Sequence, residues 1–186
     1  LNSGGKIVIG STAGITTSGA TGNIQTTIRS YNPFTHNSGK FEYTGTAAQA
    51  TGNGLPSIVT SLEFSNSNTV TLGSSITVTD SLVIKSGTVA AGATTITLNG
   101  QWVNNSSNTA FTPNTSTVVF GDSSSQNIAG NFNTTFNNVS FNKTANNVIL
   151  QRNIQINGVL NFISNTFLIQ NNRDITFGSA SSVTGT

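Results

Sequence analysis

The stretch Leu62-Glu63-Phe64-Ser65-Asn66-Ser67-Asn68-Thr69-Val70-Thr71-Leu72-Gly73-Ser74-Ser75-Ile76-Thr77-Val78-Thr79-Asp80-Ser81-Leu82-Val83-Ile84 decides the fold. Its apolar residues come in X-x-X pairs, the period-two signature of a strand with one buried face. Gly, Asn, Ser and Asp separate the pairs and supply turn residues that tolerate positive φ. The pairs Leu62/Phe64, Val70/Leu72, Ile76/Val78 and Leu82/Ile84 lie too close together for a hairpin sandwich, whose turn signals recur every ~8–12 residues. No sustained i, i+3, i+4, i+7 spacing occurs, so no helix is expected.

Outward from this stretch the same side-chain types return at a longer step. Leu62, Leu82 and Trp102 fall at equal intervals, as do Ile76 and Ile96, and Val118, Val139 and Leu160 continue the series. Three pairs to a coil and one coil per step define an all-β, right-handed parallel β-helix (β-solenoid). It has about 20 residues per coil and three short strands per coil. Stacked at about 4.8 Å, nine or so coils would make a rod roughly 40–45 Å long.

Residues 1–186 read as a single β-solenoid segment of a longer protein, with internal repeats 41–100 and 118–178. Phe41/Tyr43 match Val118/Phe120, Gly45 matches Gly121, Gln49 matches Gln126, and the pairs from Leu62 to Leu98 match those from Val139 to Phe177. Four coils per repeat are expected from this offset. Ile7-Val8-Ile9-Gly10-Ser11 resembles Ile175-Thr176-Phe177-Gly178-Ser179, so both ends join the pattern. Three segments interrupt the stepping: 29–37, 46–58 and 104–116. Their Gly, Pro and Asn content fits corner turns better than excursions from the coil.

Only 6% of residues are charged, against about 25% in ordinary domains. The apolar fraction is 34%, but it is Ile, Val, Leu and Phe in alternation, which disordered chains lack. The net charge of +2 comes from scattered groups with no basic cluster, so nucleic acid is not an expected partner. No apolar run approaches the ~20 residues of a membrane span, so no membrane insertion is expected. The chain opens without a start methionine or signal peptide, which fits a mature or excised fragment. Cys and Met are both absent, which excludes disulfides, thiolate chemistry and Cys-ligated metals. Their absence also favours an extracellular, cell-surface location, where oxidation penalises both residues.

The run Phe41-Glu42-Tyr43-Thr44-Gly45-Thr46-Ala47-Ala48-Gln49, followed by Thr51-Gly52-Asn53-Gly54-Leu55-Pro56, resembles a recurrent unit of very large surface proteins of Bacteroidota (Flavobacterium and Cytophaga relatives). So do Gly100-Gln101-Trp102-x-Asn104, Thr117-Val118-x-Phe120-x-Asp122-x-x-x-Gln126-x-Ile128 and Phe136-Asn137-Asn138-Val139-x-Phe141. The resemblance implies an adhesin-like protein exported by type IX secretion, and it brings no enzymatic residues with it. The second copy departs from it by carrying Asn131-Phe132-Asn133 where the first has Gly54-Leu55-Pro56.

The acidic residues are Glu42, Glu63, Asp80, Asp122 and Asp174. A polysaccharide lyase or hydrolase needs converging carboxylates, and these are expected to be isolated on the surface, with Glu63 pointing outward between Leu62 and Phe64. His36 has no Cys partner or nearby acid in sequence and reads as a loop residue. No calcium-binding repeat or EF-hand loop is present. Thr69/Thr71, Thr77/Thr79 and Thr95/Thr97 raise the idea of an ice-binding array, but Thr is also a common outward strand residue. Asp80-Ser81-Leu82 resembles a short bacterial O-glycosylation motif, which makes Ser81 a candidate acceptor. Catalytic, cofactor-binding and metal residues are therefore expected to be none, and cofactors none. The expected role is a non-enzymatic extracellular stalk or multivalent scaffold. Its partners would be neighbouring repeats of the same protein, surface glycans or other cell-surface proteins. A carbohydrate-active β-helix is the alternative, and an ice-binding solenoid the third reading.

Overall fold

The computed structural model describes residues 5–17, 39–164, 167–169 and 172–185. It is an all-β solenoid with coils of about 21 residues and about seven turns, and every strand pair described is parallel. The stacking is the one the X-x-X spacing dictates. Leu62, Leu82 and Trp102 lie side by side in register, and so do Phe64 and Ile84, Phe141 and Phe162, and Ile156 and Phe177. At about 4.8 Å per turn, seven turns span roughly 34 Å, shorter than the nine-coil expectation.

Each coil crosses three faces. Face 1 carries Lys6–Ile9, Lys40–Gly45, the latter halves of Ile58–Asn66 and Ile76–Ile84, then Gln101–Asn104, Gln126–Gly130, Asn147–Leu150 and Phe167–Ile169. Face 2 carries Gln49–Ala50, Thr69–Thr71, Thr88–Ala90 and Phe111–Thr112, then Thr134–Phe136, Ile154–Ile156 and Ile175–Phe177. Face 3 carries the first halves of Ile58–Asn66 and Ile76–Ile84, then Thr95–Leu98, Thr117–Phe120, Asn138–Phe141, Val159–Phe162 and Ser182–Gly185. The segments 46–58 and 104–116 each contain a face-2 strand, so both remain within the coil. The segment 29–37, with His36, lies outside the described residues.

The two sequence repeats do not occupy the same faces, which corrects the four-coil expectation. Phe41 lies on face 1 and its match Val118 on face 3; Gln49 lies on face 2 and Gln126 on face 1; Ile76 lies on face 3 and Ile154 on face 2. Each match falls one face short of whole turns. The repeat is therefore three and two-thirds turns long, and copies are related by about a third of a rotation about the rod axis. A strand position needs only an X-x-X pair and a corner, and any face supplies both.

The core runs along the axis. Trp102, Tyr43, Phe64, Phe120, Phe136 and Phe141 are its largest fully buried side chains, each contributing about 1.5–3 kcal/mol by leaving water. Gly100 is required by packing: a Cβ there would lie 1.7 Å from the Asp80 carbonyl oxygen, where the coil below runs straight over the corner. Beyond Lys40 one turn is wider than the others. The step from Trp102 to its register partner Ile128 is longer than from Leu82 to Trp102, and the face-2 ladder breaks between Phe111–Thr112 and Thr134–Phe136. The Trp102 ring fills the fault, edge-on to Phe111 at 4.8 Å and to Phe136 at 5.0 Å, and its indole N–H donates to Thr134 Oγ1 at 3.1 Å.

The two ends of the rod differ. Ile9 and Ile15 are buried at one, where Ala50 N donates to Thr12 O and Ile15 N to Thr51 O. At the other, Phe177 and Val183 continue the buried columns of Ile156 and Leu160 yet are 43% and 57% exposed.

Candidate functional site

The densest charge lies on the outer side of face 1. Glu42 and Glu63 are register partners on adjacent coils, so two carboxylates stand about 4.8 Å apart in strand spacing. Like charges placed opposite one another destabilise a sheet, and two lysines offset this. Lys6 bonds to both, reaching Glu63 Oε2 at 2.8 Å, and Lys85 lies 2.7 Å from Glu63 Oε2 and 3.4 Å from Glu42 Oε1. Partial burial alone would raise the Glu42 carboxyl, but Lys6, the Ser65 hydroxyl and Lys85 outweigh it and hold the group at about 2. Glu63 is likewise lowered, burial being outweighed by hydrogen bonds from Lys6 and Lys85. Lys6 is raised by its bonds to Glu42 and Glu63, and Lys85 chiefly by Glu63.

The carboxylates at 42 and 63 are thus not isolated, contrary to the sequence expectation, although Glu63 does face outward. Sequence reasoning missed the bracket because its four members come from four coils. The signal available was the shared X-x-X register of Phe41/Tyr43 and Leu62/Phe64, which places Glu42 beside Glu63. Chemically the bracket is closed. Both acids are ionised at neutral pH, whereas a glycosidase pair needs one carboxyl protonated as general acid.

The remaining acids stand elsewhere. Asp80 accepts from the Ser61 hydroxyl at 3.0 Å and the Ser81 hydroxyl at 3.2 Å at the corner between faces 3 and 1, so half-buried Ser81 lies in a small polar cluster. Asp122 has φ 70° and accepts from Ser123 N at 2.6 Å in the corner before face 1. Asp174 pairs with Asn153 near face 2. Among the described residues no group of three or more His, Cys, Asp or Glu could hold a metal ion.

A second motif was visible only as a sequence match. Gln49 and Gln126 are both buried, and each reaches across a corner of the coil below. Gln49 Nε2 donates to Ile9 O and Ser11 O at 2.9 and 2.7 Å; Gln126 Nε2 donates to Leu98 O and Gly100 O at 2.8 and 2.9 Å. From the coil above, Asn66 Nδ2 donates to Gln49 Oε1 at 3.0 Å, and in the second copy Lys143 Nζ donates to Gln126 Oε1 at 2.7 Å. Lys143 also donates to Gly121 O and Ser124 O, at 2.8 and 2.6 Å. Burial pushes its pKa down, and Asp122 opposes that shift. These brackets bring side-chain donors to corner carbonyls, in addition to the backbone bond that Leu98 O accepts from Gly121 N. Their role is to hold coils together.

The threonine pairs do not form one array. Thr69 and Thr71 lie on face 2, while Thr77 and Thr97 are neighbours on face 3. The face-3 row then continues through Val119, Ser140 and Asn161. Two shallow grooves lie among the described residues. One of about 360 Å³ on face 3 is lined by Ser57, Ser75, Thr77, Thr95 and Thr97 together with Ile58 and Ile76. The other, about 230 Å³, lies beside the face-2 fault and is lined by Asn108, Asn133, Thr135, Asn153, Gln155 and Thr176 together with Thr134 and Ile154.

These features define the class: a parallel β-solenoid built from repeats, with polar corner brackets and an ionic bracket on one face. No family model, curated protein or solved structure matches the chain.

Proposed function

We propose that the chain is a non-enzymatic repeat segment of an extracellular, adhesin-like bacterial surface protein. It would act as a stiff stalk or multivalent scaffold, of the Bacteroidota type exported by type IX secretion. The observation that carries this reading is the stacked parallel β-solenoid with its internal repeat, coils of about 21 residues in about seven turns. Phe177 and Val183 extend two buried columns into solvent, in position to stack against a further coil. Neighbouring repeats are then natural partners, because solenoid stability grows with each interface added.

The ionic bracket also favours a structural role, since its carboxylates are neutralised by lysines and held ionised. Repeats three and two-thirds turns long would present equivalent corners at successive azimuths. A scaffold of this kind meets partners from several sides and gains avidity without strong individual sites. The irregular face-3 row counts against an ice-binding plane.

Screening the protein against common plant and algal polysaccharides tests the non-enzymatic reading. The expected result is no release of reducing ends or unsaturated products. Reproducible release that is lost in Glu63→Gln, Asp122→Asn or Asp174→Asn would overturn it in favour of a carbohydrate-active β-helix.

A further inference from the structure

We propose that the groove beside the face-2 fault is a binding subsite for a neutral glycan, a stretch of one or two pyranose rings. The inference gives the scaffold reading a ligand site but does not depend on how the rod is extended.

The site exists because the fold is irregular there. The widened turn leaves Phe111–Thr112 and Thr134–Phe136 unpaired as neighbours in the ladder, and the groove lies beside that break. The groove is held open by fixed contacts. Asn104 Nδ2 donates to Ser107 O at 2.7 Å and to Asn133 O at 2.8 Å, and Asn133 N donates to Asn108 Oδ1 at 3.0 Å. Below it, buried Trp102 bonds to Thr134, so the floor rests on the core. A site so supported is preorganised, which lowers the ordering cost of binding.

The lining states the chemistry. Asn108, Asn133, Asn153 and Gln155 line the groove with amides, Asn153 being bonded to Asp174, Gln155 Nε2 to Asn157 Oδ1 and Asn108 Oδ1 to Asn133 N, and Thr135 and Thr176 add hydroxyls. Every lining residue is uncharged, and the nearest charge bonded to the lining, Asp174 against Asn153, is negative, so a phosphate finds no counter-charge there. The hydroxyls of Thr135 and Thr176 and the side-chain amide of Asn133 take no hydrogen bond within the described residues. Thr135, Gln155 and Thr176 stand in register on successive coils, about 4.8 Å apart, a spacing comparable with the width of a pyranose ring. Uncharged amides and hydroxyls suit a neutral polyol. An extended peptide would instead call for apolar pockets along an open strand edge. The groove on face 3 has hydroxyls and isoleucines but no amides, and is the weaker candidate.

The test is nuclear magnetic resonance titration of the ¹⁵N-labelled chain with neutral oligosaccharides of glucose, of mannose and of galactose, and with an uncharged peptide as comparison. At least one sugar should give saturable shifts at the amides of Asn108, Asn133, Thr135 and Gln155, with a dissociation constant around 1 mM. Gln155→Ala, at an exposed position, should weaken it about tenfold, the loss of about 1.4 kcal/mol of contact, with unchanged melting temperature. Thr97→Ala should leave it unaltered. The proposal fails if none of the sugars saturates by about 20 mM, or if shifts map to the Ser57–Thr97 groove. It also fails if the peptide binds as well as the sugars, or if Gln155→Ala has no effect. None of these outcomes bears on the stalk reading, which stands or falls on the coil-stacking measurements.

Discussion

Replacing Phe141 by Ala probes the aromatic column that runs through the middle of the rod. Phe141 is fully buried, its ring 5.7 Å from Phe120 below and 5.4 Å from Phe162 above. Truncating a buried Phe costs about 3–5 kcal/mol, because the cavity only partly collapses. Each tilted aromatic pair adds about 0.5–1.5 kcal/mol beyond burial. Two such pairs are lost, which places the expected cost in the upper half of that range, at about 4–5 kcal/mol. For a chain of this size each kcal/mol lowers the melting temperature by about 2–4 °C, so a fall of roughly 8–20 °C is expected. Phe162→Ala should cost less, because Phe162 lies nearer the open end and is only half-buried. Thr71→Ala, at an exposed outward position, should stay within about 0.5 kcal/mol. Thermal and urea melts followed by far-ultraviolet circular dichroism measure all three. A Phe141→Ala cost below about 1 kcal/mol, or a Thr71→Ala cost as large as that of Phe141→Ala, would refute the inward and outward assignment.

Gly100→Ala should destabilise by several kcal/mol, about 3 or more by analogy with core overpacking, because its Cβ would strike the Asp80 carbonyl; thermal melts compare it with Gly92→Ala, where nothing lies within 4 Å but φ is +64°. Gln126→Ala strands the Gly100 carbonyl and one donor bond of Lys143, leaves Leu98 O with its bond from Gly121 N alone, and should cost about 1–3 kcal/mol in urea melts. The ionic bracket sets a pH window. Its carboxylates are shifted down, so their contribution is complete above the ordinary carboxyl value of 4.5 and is lost as pH falls towards 2. Its lysines are shifted up, so theirs is complete below 10.5 and lost above it. Exposure keeps the total near 1 kcal/mol. Melts at low salt should show a small acid-side loss that is reduced in Glu42→Gln and in high salt.

The fold was legible because a solenoid writes its geometry as periodicity. The steps from Leu62 to Leu82 to Trp102 and from Val118 to Val139 to Leu160 are the register of the sheets. The count of coils per repeat was not legible in the same way. Matching Gln49 to Gln126 gives a distance along the chain but not the face, and a variable corner length hides the missing third of a turn. The widened turn between Trp102 and Ile128 was hidden too, since its Asn and Ser residues read as turns of any length. The candidate site was least legible. Glu42 and Glu63 looked isolated because their lysines come from coils below and above. Nothing in the sequence marks Asn104 and Lys143 as the buried corner residues they are. In a parallel stack, polar residues acquire partners a full coil away, and short-range sequence patterns do not record them.

The central claim is that the rod is held by coil-on-coil stacking and remains open at the end bearing Phe177 and Val183. Native-state hydrogen exchange read residue by residue tests it most directly, since each amide in a ladder opens with the coils that cover it. Slowest exchange is expected from Leu82 to Ile154, with protection falling through Val159–Phe162 to Ser182–Gly185. Uniform protection along the whole chain, governed by one global opening, would mean a self-capped domain and would contradict the account.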